Sequence, residues 1–261
     1  MTVPDRPVSS EVRFNDRLAK KIHGPSEESQ RQRVFVSEIF KSLQGEGKYA
    51  GHPSIFVRTS GCNLRCTWCD TTHTSWHAEG RHLDVAAILG QTALWSDVEH
   101  AVLTGGEPLL QRDLPDLVAG LRSRGHLITI ETAATIFDAD LQPDLFSLSP
   151  KLNNSRPGIE QAEARALHDR NQDPDVLPKF LETGCDVQVK FVVEGAADLP
   201  EILDLVERWQ LPRDQVYLMP QCISGDTLVE RGRVIADLCR QEGFNFSGRL
   251  HIELWGNKRG T

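Results

Sequence analysis

Short apolar runs alternate with segments of helical periodicity from residue 33 to the end of the chain. The apolar runs predict eight strands, at 34–40, 54–58, 101–104, 127–131, 145–149, 187–193, 216–219 and 250–254. Runs rich in β-branched residues are typical of strands buried on both faces of a parallel sheet. The pattern therefore predicts an α/β fold, which right-handed crossovers would curl into a partial or modified (β/α) barrel of mostly parallel strands.

Three of the intervening segments carry helix signals. Asp113 and Asp198 each come two residues before a proline, which predicts a capped helix start, and Glu201 completes a capping box after Asp198. The third predicted helix, 226–242, stops at Gly243. We expect these helices to cover the sheet.

Residues 1–32 differ from the rest of the chain. They are rich in charge, proline and serine, and their few apolar residues follow no sustained period. This composition predicts a flexible N-terminal extension. Residues 33–261 are then expected to form a single domain, which is a usual size for an α/β barrel.

Composition and charge narrow the classes of partner. The chain of 261 residues is 39% apolar and 25% charged, with a formal net charge of −8. Nucleic acids and anionic membranes are bound through basic surfaces, so a small-molecule substrate fits better. We find no leader pattern and no run of 18 apolar residues, and the six cysteines do not form a disulfide framework. We therefore expect a cytoplasmic protein that binds neither membrane nor nucleic acid.

The candidate chemistry centres on residues 61–72, here called the cysteine loop. Cys62, Cys66 and Cys69 stand close enough in sequence for three thiolates to converge. Structural zinc sites and ordinary iron–sulfur clusters are held by four protein ligands, so three cysteines leave one metal position open for a small chelating ligand. The alternative is a zinc loop in which His73 or His77 supplies the fourth ligand.

Other candidate residues follow the carboxyl ends of predicted strands, where α/β proteins place their ligands. They are Gly105, Gly106, Glu107 and Pro108; Glu131 and Thr132; Ser149, Pro150 and Lys151; and Met219, Pro220 and Gln221. Glycines directly after a strand let the backbone approach a ligand closely. Upstream, the backbone of residues 44–47 could bind the edge of a planar heterocycle, and Arg58 could bind a carboxylate. A surface turn and a salt-bridged arginine are the plainer alternatives.

Two resemblances sharpen these expectations. The three-cysteine spacing, with Trp68 before the last cysteine, resembles the signature of the radical S-adenosylmethionine enzymes. Residues 43–47, 51–53, 61–64 and 69–71, together with Arg58, are similar to the 7-carboxy-7-deazaguanine synthase family, and the similarity extends over about 34–255. An activating enzyme for glycyl-radical proteins, which shares the cysteine spacing, is the related alternative.

The family resemblance implies a lyase reaction and its cofactors. The reaction converts 6-carboxy-5,6,7,8-tetrahydropterin to 7-carboxy-7-deazaguanine with loss of ammonia, in queuosine and 7-deazapurine biosynthesis. A 4Fe–4S cluster, S-adenosylmethionine and Mg2+ are implied as cofactors. A homodimer and an electron donor such as flavodoxin or ferredoxin are implied as partners.

The resemblance also implies roles for individual residues, none of them as a general acid or base. Cys62, Cys66 and Cys69 would hold the cluster, and Thr71 would bind Mg2+. Substrate contacts would come from Leu43, Gln44, Gly45, Glu46, Arg58 and Thr104. Contacts to S-adenosylmethionine would come from Trp68, Gly105, Gly106, Glu107, Glu131, Ser149, Pro150, Lys151, Met219, Pro220 and Gln221. The C-terminal segment is longer than in family members whose last residues reach the substrate, which makes His251 and Thr261 poor candidates for contact.

Overall fold

A computed structural model describes residues 33–261 of the protein, so the predicted N-terminal extension lies outside the described range. The strands are β1 (Arg33–Leu43), β2 (Pro53–Thr59), β3 (Arg81–Asp84), β4 (His100–Gly105), β5 (Leu127–Thr132), β6 (Leu145–Leu148), β7 (Asp186–Val193), β8 (Val216–Pro220) and β9 (Asn245–Phe246). The helices are α1 (Val85–Thr92), α2 (Leu114–Arg122), α3 (Ala162–Arg170), α4 (Leu177–Leu181), α5 (Leu199–Arg208), α6 (Gly225–Glu242) and α7 (Leu250–Trp255).

The strands form one sheet in the order β3-β1-β2-β4-β5-β6-β7-β8-β9. All neighbouring pairs from β2 to β9 are parallel, whereas β1 runs antiparallel to both β2 and β3. Parallel strands need covered faces, and the apolar residues of β4 to β8 are accordingly almost all buried. The predicted α/β fold of mostly parallel strands is confirmed.

Seven of the eight predicted strands are present with small differences at their ends. The prediction for 250–254 is wrong, because this segment is helix α7, which Gly256 ends with a φ of 70°. A short apolar run fits the period of a strand or of a helix, and no local signal decided between them. The short strands β3 and β9 were not predicted.

The predicted helix starts are correct, but their carboxylates have other partners. Asp113 accepts a hydrogen bond from the backbone N–H of Arg33 at 2.9 Å, and so fastens β1 to the start of α2. Asp198 accepts bonds from the backbone of Glu194 and the side chain of Asn154. Neither side chain caps its own helix. The two carboxylates that the local pattern assigned to helix capping form tertiary contacts instead.

The core lies between the sheet and its helices. Phe146 on β6 and Phe180 on α4 are fully buried, and their rings meet edge to face with centroids 5.0 Å apart. Aromatic pairs of this geometry contribute beyond the area that they bury. Among the helices of residues 33–261, none combines the length and the apolar content that a membrane crossing needs.

Gly105 and Gly106, at the end of β4, pack directly against the backbone beside the cysteine loop. The N–H of Gly106 donates to the carbonyl of Thr59 at 3.3 Å, and the next residue donates to the carbonyl of Gly61 at 2.9 Å. A Cβ at Gly106 would overlap the carbonyl oxygens of Gly61 and Thr74. The absent side chains therefore let the cysteine loop lie against the end of β4.

Replacing Gly106 with alanine should destabilise the fold by about 1–3 kcal/mol, because the added methyl group meets backbone that cannot move independently. The matched control is Gly90→Ala in α1, where a Cβ meets nothing within 4 Å. That change should raise stability by about 0.5–1 kcal/mol. Denaturant unfolding of both variants checks this, and equal stability of Gly106→Ala and wild type would contradict the packing argument.

Candidate active site

A cavity of about 440 Å3 opens at the carboxyl ends of the parallel strands. Its walls come from the end of β1, the cysteine loop, the ends of β4 to β8 and the C-terminal segment. Seventeen of the predicted site residues line it: Leu43, Gln44, Gly45, Glu46, Arg58, Cys62, Cys66, Trp68, Cys69, Thr71, Thr104, Gly105, Gly106, Glu131, Ser149, Lys151 and Met219. Glu107, Pro150, Pro220 and Gln221 do not line it.

The three loop cysteines share the wall formed by the cysteine loop. Burial raises the pKa of the Cys62 thiol to about 12 and that of Cys66 to about 11. Thiols in such a place become thiolates when a metal binds and compensates their charge. Cys69 Sγ lies 3.1 Å from the Ser75 hydroxyl, a contact that can hold the sulfur in place. The donor set therefore fits a metal–sulfur centre.

Among the described residues, the cysteine sulfurs are not gathered around a single point. In residues 33–261, no three His, Cys, Asp or Glu side chains are gathered tightly enough to hold one metal ion. The cysteines of an iron–sulfur cluster bind different iron atoms, so their sulfurs need not converge on one point. The zinc-loop alternative with His73 or His77 is not tested by this arrangement.

Lys151 and Trp68 form a polar and aromatic wall beside the cysteines. The Lys151 ammonium lies 5.9 Å from the centre of the Trp68 ring and donates to both the carbonyl and the hydroxyl of Ser149. The Trp68 ring is oriented by its N–H, which donates to Asn154 at 3.3 Å. An aromatic face beside a cation suits a ligand with an adenine ring and a carboxylate.

Glu107 and Gln221 have structural partners instead of a place in the cavity. The fully buried carboxylate of Glu107 accepts bonds from the Thr132 hydroxyl at 2.7 Å and from the backbone of Leu109 and Ala133. Burial raises the pKa of Glu107. Gln221 accepts from Arg231 through its backbone and side-chain oxygens. Glu107 thus stabilises the turn after β4 from outside the cavity.

The carboxylate of Glu131 connects two residues predicted to contact substrate. Its oxygens accept one bond from the Gln44 amide at 3.0 Å and one from the Thr104 hydroxyl at 2.8 Å. Glu131 ends β5, Thr104 lies near the end of β4 and Gln44 follows β1. The three side chains therefore fix one another across three strands at the cavity floor.

Arg58 lines the cavity with a largely buried guanidinium. Its Nε donates to Glu38 at 2.8 Å, its guanidinium carbon lies 5.6 Å from the centre of the Phe40 ring, and its side chain is 18% exposed. Within the described part of the chain, its terminal nitrogens have no carboxylate partner. A held guanidinium of this kind can bind an incoming carboxylate.

A buried charge network forms part of the cavity wall. We use this name for Lys190, Glu46, Arg249 and Asp70. One oxygen of Glu46 accepts from Lys190 and the other from Arg249 Nε at 3.0 Å, while Arg249 also donates to Asp70. Lys190 and Arg249 are only 4% and 5% exposed.

The charges within this network shift the pKa values of its members. Burial would raise the pKa of Glu46, but Lys190 and Arg249 outweigh burial and hold it well below the usual range. Burial would likewise raise the pKa of Asp70, which Arg249 lowers overall. Burial alone would lower the pKa of Lys190, but Glu46 raises it. All four groups are therefore charged near neutral pH.

The network and its neighbours hold the glycine loop, residues 44–51, in place. The carbonyl of Gly45 accepts from the backbone of Leu250, and a Cβ on Gly45 would overlap the His251 ring. Gly47 donates to the Ser247 hydroxyl at 2.9 Å. Glycine at these positions thus has a packing reason in addition to any contact with a ligand.

Several cavity residues were not predicted. Lys190, Arg249, Glu38 and the C-terminal residues from Asn257 to Gly260 all line the walls. His73, considered above only as a zinc ligand, lines them as well. His251 and Thr261, which the length of the C-terminal segment made doubtful contacts, both line the cavity. One signal was available for Lys190, which with Gln188 interrupts the apolar run of β7. No local pattern marks Arg249.

Comparisons with known proteins agree with this geometry. The sequence profile of the radical SAM superfamily matches residues 56–164. The 7-carboxy-7-deazaguanine synthase of Rhodopirellula baltica is 41% identical over 230 residues, which cover 87% of this chain and 89% of the relative. The enzyme of the same name from Halobacterium salinarum is 40% identical over 233 residues, covering 85% and 90%.

A solved structure extends the likeness to three dimensions. QueE from Escherichia coli superposes with a TM-score of 0.61 at 26% identity, covering 88% of this chain and all of that one. The sequence likeness spans nearly the whole described range, and the cysteine loop falls inside the matched superfamily profile. The chain belongs to the 7-carboxy-7-deazaguanine synthase family of the radical SAM superfamily.

Proposed function

We propose that this protein converts 6-carboxy-5,6,7,8-tetrahydropterin to 7-carboxy-7-deazaguanine with loss of ammonia, as a carbon–nitrogen lyase of 7-deazapurine biosynthesis. The observation that carries the proposal is one cavity whose walls combine three cysteines with Gln44 and Arg58. The wall with the cysteines suits a cluster. The wall with Gln44 and Arg58 suits a flat, hydrogen-bonding heterocycle that bears a carboxylate. The cavity volume of about 440 Å3 lies in the usual range for small-molecule sites.

The cofactors follow from the superfamily and from the cavity walls. As a radical SAM protein, the chain uses a 4Fe–4S cluster and S-adenosylmethionine. We propose that Cys62, Cys66 and Cys69 hold the cluster, and that Trp68 and Lys151 hold the adenine and the carboxylate of S-adenosylmethionine. Bound there and supplied with an electron, the two cofactors would provide the hydrogen-atom abstraction with which the reaction of the substrate begins.

The chain's own residues orient the substrate and exclude water. Arg58 would bind the pterin carboxylate with the nitrogens that Glu38 leaves available. The backbone of Leu43, Gln44 and Gly45 would bind the heterocycle edge, and Thr104 would approach its ring. Because Glu131 holds both Gln44 and Thr104, these contacts are set before the substrate arrives.

A magnesium ion would complete the substrate side. We propose that the Thr71 hydroxyl binds Mg2+ together with substrate oxygens and water, which is a normal ligand set for this hard cation. Asp70, the neighbouring carboxylate, is held by Arg249 and would act from behind Thr71. The ion and Arg58 together would keep the carboxylate fixed during the ring contraction.

From the family likeness we also propose a cytoplasmic homodimer that receives electrons from a small donor such as flavodoxin or ferredoxin. A net charge of −8 is compatible with a small-molecule substrate and with no role for nucleic acid. Besides the second subunit, the protein partner that we propose is therefore the electron donor.

The function is tested by anaerobic incubation of the reconstituted protein with the carboxytetrahydropterin, S-adenosylmethionine, dithionite and Mg2+. We expect a product with the mass of 7-carboxy-7-deazaguanine, less of it without Mg2+, and none from a variant with alanine at Cys62, Cys66 and Cys69. The wild-type protein should be brown. A colourless protein that carries one zinc ion per chain would remove the proposal.

Replacing Arg58 with alanine should lower kcat/KM for the carboxypterin by about 100-fold, because the charged hydrogen bonds to the carboxylate are lost. Reductive cleavage of S-adenosylmethionine without substrate should persist, since Arg58 is not among the cofactor contacts. The control is Arg122→Ala, which removes a half-exposed arginine paired with Asp144 outside the cavity. Wild-type kcat/KM in Arg58→Ala would exclude Arg58 from the site.

A further inference from the structure

Arg65 is a buried arginine inside the cysteine loop that the proposed reaction does not use. It is 7% exposed and does not line the cavity. Its Nη1 donates to the carbonyls of Cys62 at 2.8 Å and Leu64 at 2.7 Å. A burial this deep is unusual for an arginine unless something compensates its charge.

That compensation does not come from a carboxylate. Across residues 33–261, Arg65 makes no ion pair, whereas Arg58 pairs with Glu38 and Arg249 pairs with Glu46. The Nη1 of Arg65 instead donates to the carbonyl of Cys62 itself, and Arg65 directly precedes Cys66 in the chain, so the guanidinium lies inside the loop that carries all three cysteines. The guanidinium keeps its positive charge in any protein environment. This charge therefore lies next to the backbone of the proposed cluster ligands.

Within residues 33–261, the groups that contact Arg65 carry no negative charge. His168 accepts the backbone N–H of Arg65 at its Nδ1 and faces the Ser155 hydroxyl with its Nε2. Burial lowers the pKa of His168 to about 4, so this ring fixes the loop without adding charge at neutral pH. Asp70, which follows Cys69 in the chain, is paired with Arg249.

A fixed positive charge next to an iron–sulfur cluster changes how readily the cluster accepts an electron. Net charge and hydrogen bonding around the sulfurs are among the factors that set the reduction potential. One added electron makes the cluster and its three thiolates more negative, and a nearby cation stabilises that state more than the oxidised one. The effect is strong where water is excluded.

We propose that Arg65 is a positioning residue that acts through its charge and raises the reduction potential of the cluster. Its two bonds to loop carbonyls hold the guanidinium beside the cysteines, so the charge is fixed in place. The proposal rests on the assignment of the cluster to Cys62, Cys66 and Cys69 in the proposed function. Arg65 would make the cluster easier to reduce without contacting the substrate.

The test compares Arg65→Gln with Arg65→Lys in anaerobically reconstituted protein. Glutamine can still donate to the loop carbonyls but is neutral, whereas lysine keeps the charge. Electron paramagnetic resonance follows a one-electron titration with dithionite, without S-adenosylmethionine. We expect the midpoint of Arg65→Gln to be more negative by about 59 mV, a tenfold less favourable reduction. Arg65→Lys should stay close to wild type.

The matched control is Arg156→Gln. Arg156 follows Ser155 in the chain, but its charge is paired with Asp169, so its loss should leave the midpoint unchanged. Because the resonance signal comes only from loaded molecules, incomplete reconstitution does not distort the midpoint.

Each remaining outcome is decisive. A wild-type midpoint in Arg65→Gln overturns the proposal, and so does an equal shift in Arg65→Lys, which would make the guanidinium geometry the cause. Complete loss of the cluster from Arg65→Gln also overturns it in favour of a purely structural role. A wild-type protein with no reducible cluster would instead defeat the proposed function.

Discussion

The active-site cavity depends on one buried charge network. Arg249 reaches from the start of α7 to Glu46 in the glycine loop and to Asp70 beside Cys69, and Lys190 on β7 supplies the second cation to Glu46. Breaking such a buried set by removing one partner is costly, because a desolvated charge remains unpaired. The network therefore holds the glycine loop and the cysteine loop in one arrangement.

Close backbone packing supplies the second constraint. Gly106 lets the end of β4 lie against the cysteine loop, and Gly45 leaves room for His251. Behind this layer, Glu107 ties the turn after β4 to the turn after β5 through Thr132 and the backbone of Ala133. Motifs that suggest ligand contact in the sequence thus also have a packing role. That packing fixes the positions of the residues expected to make the contacts.

Local patterns predicted most of the fold because buried parallel strands are continuous apolar runs. The same reasoning failed for α7, where five residues fit either period and Arg249, just before the helix, was overlooked. The cysteines were predictable from spacing within one loop. Arg249 and Lys190 were not, because their partner Glu46 lies 203 and 144 residues away in sequence. Long-range pairing leaves no local signal.

The glycines after β4 have a packing role that the sequence did not predict. They were expected to admit a ligand, and the structure shows that they admit the backbone at Thr59 and Gly61. Likewise, Asp113 begins a helix as expected but binds β1 instead of capping that helix. Residue type and position follow from local rules, whereas the partner of a polar group depends on the assembled fold.

The most direct test of the network is the ratio of product formation to S-adenosylmethionine cleavage in Arg249→Lys. Lysine keeps the charge but cannot extend a planar fork to Glu46, Asp70 and the Cys222 carbonyl together. If the network positions the glycine loop, the variant keeps its cluster and cleaves S-adenosylmethionine, while formation of the deazapurine falls by about tenfold or more. Product formation at the wild-type rate would contradict this account.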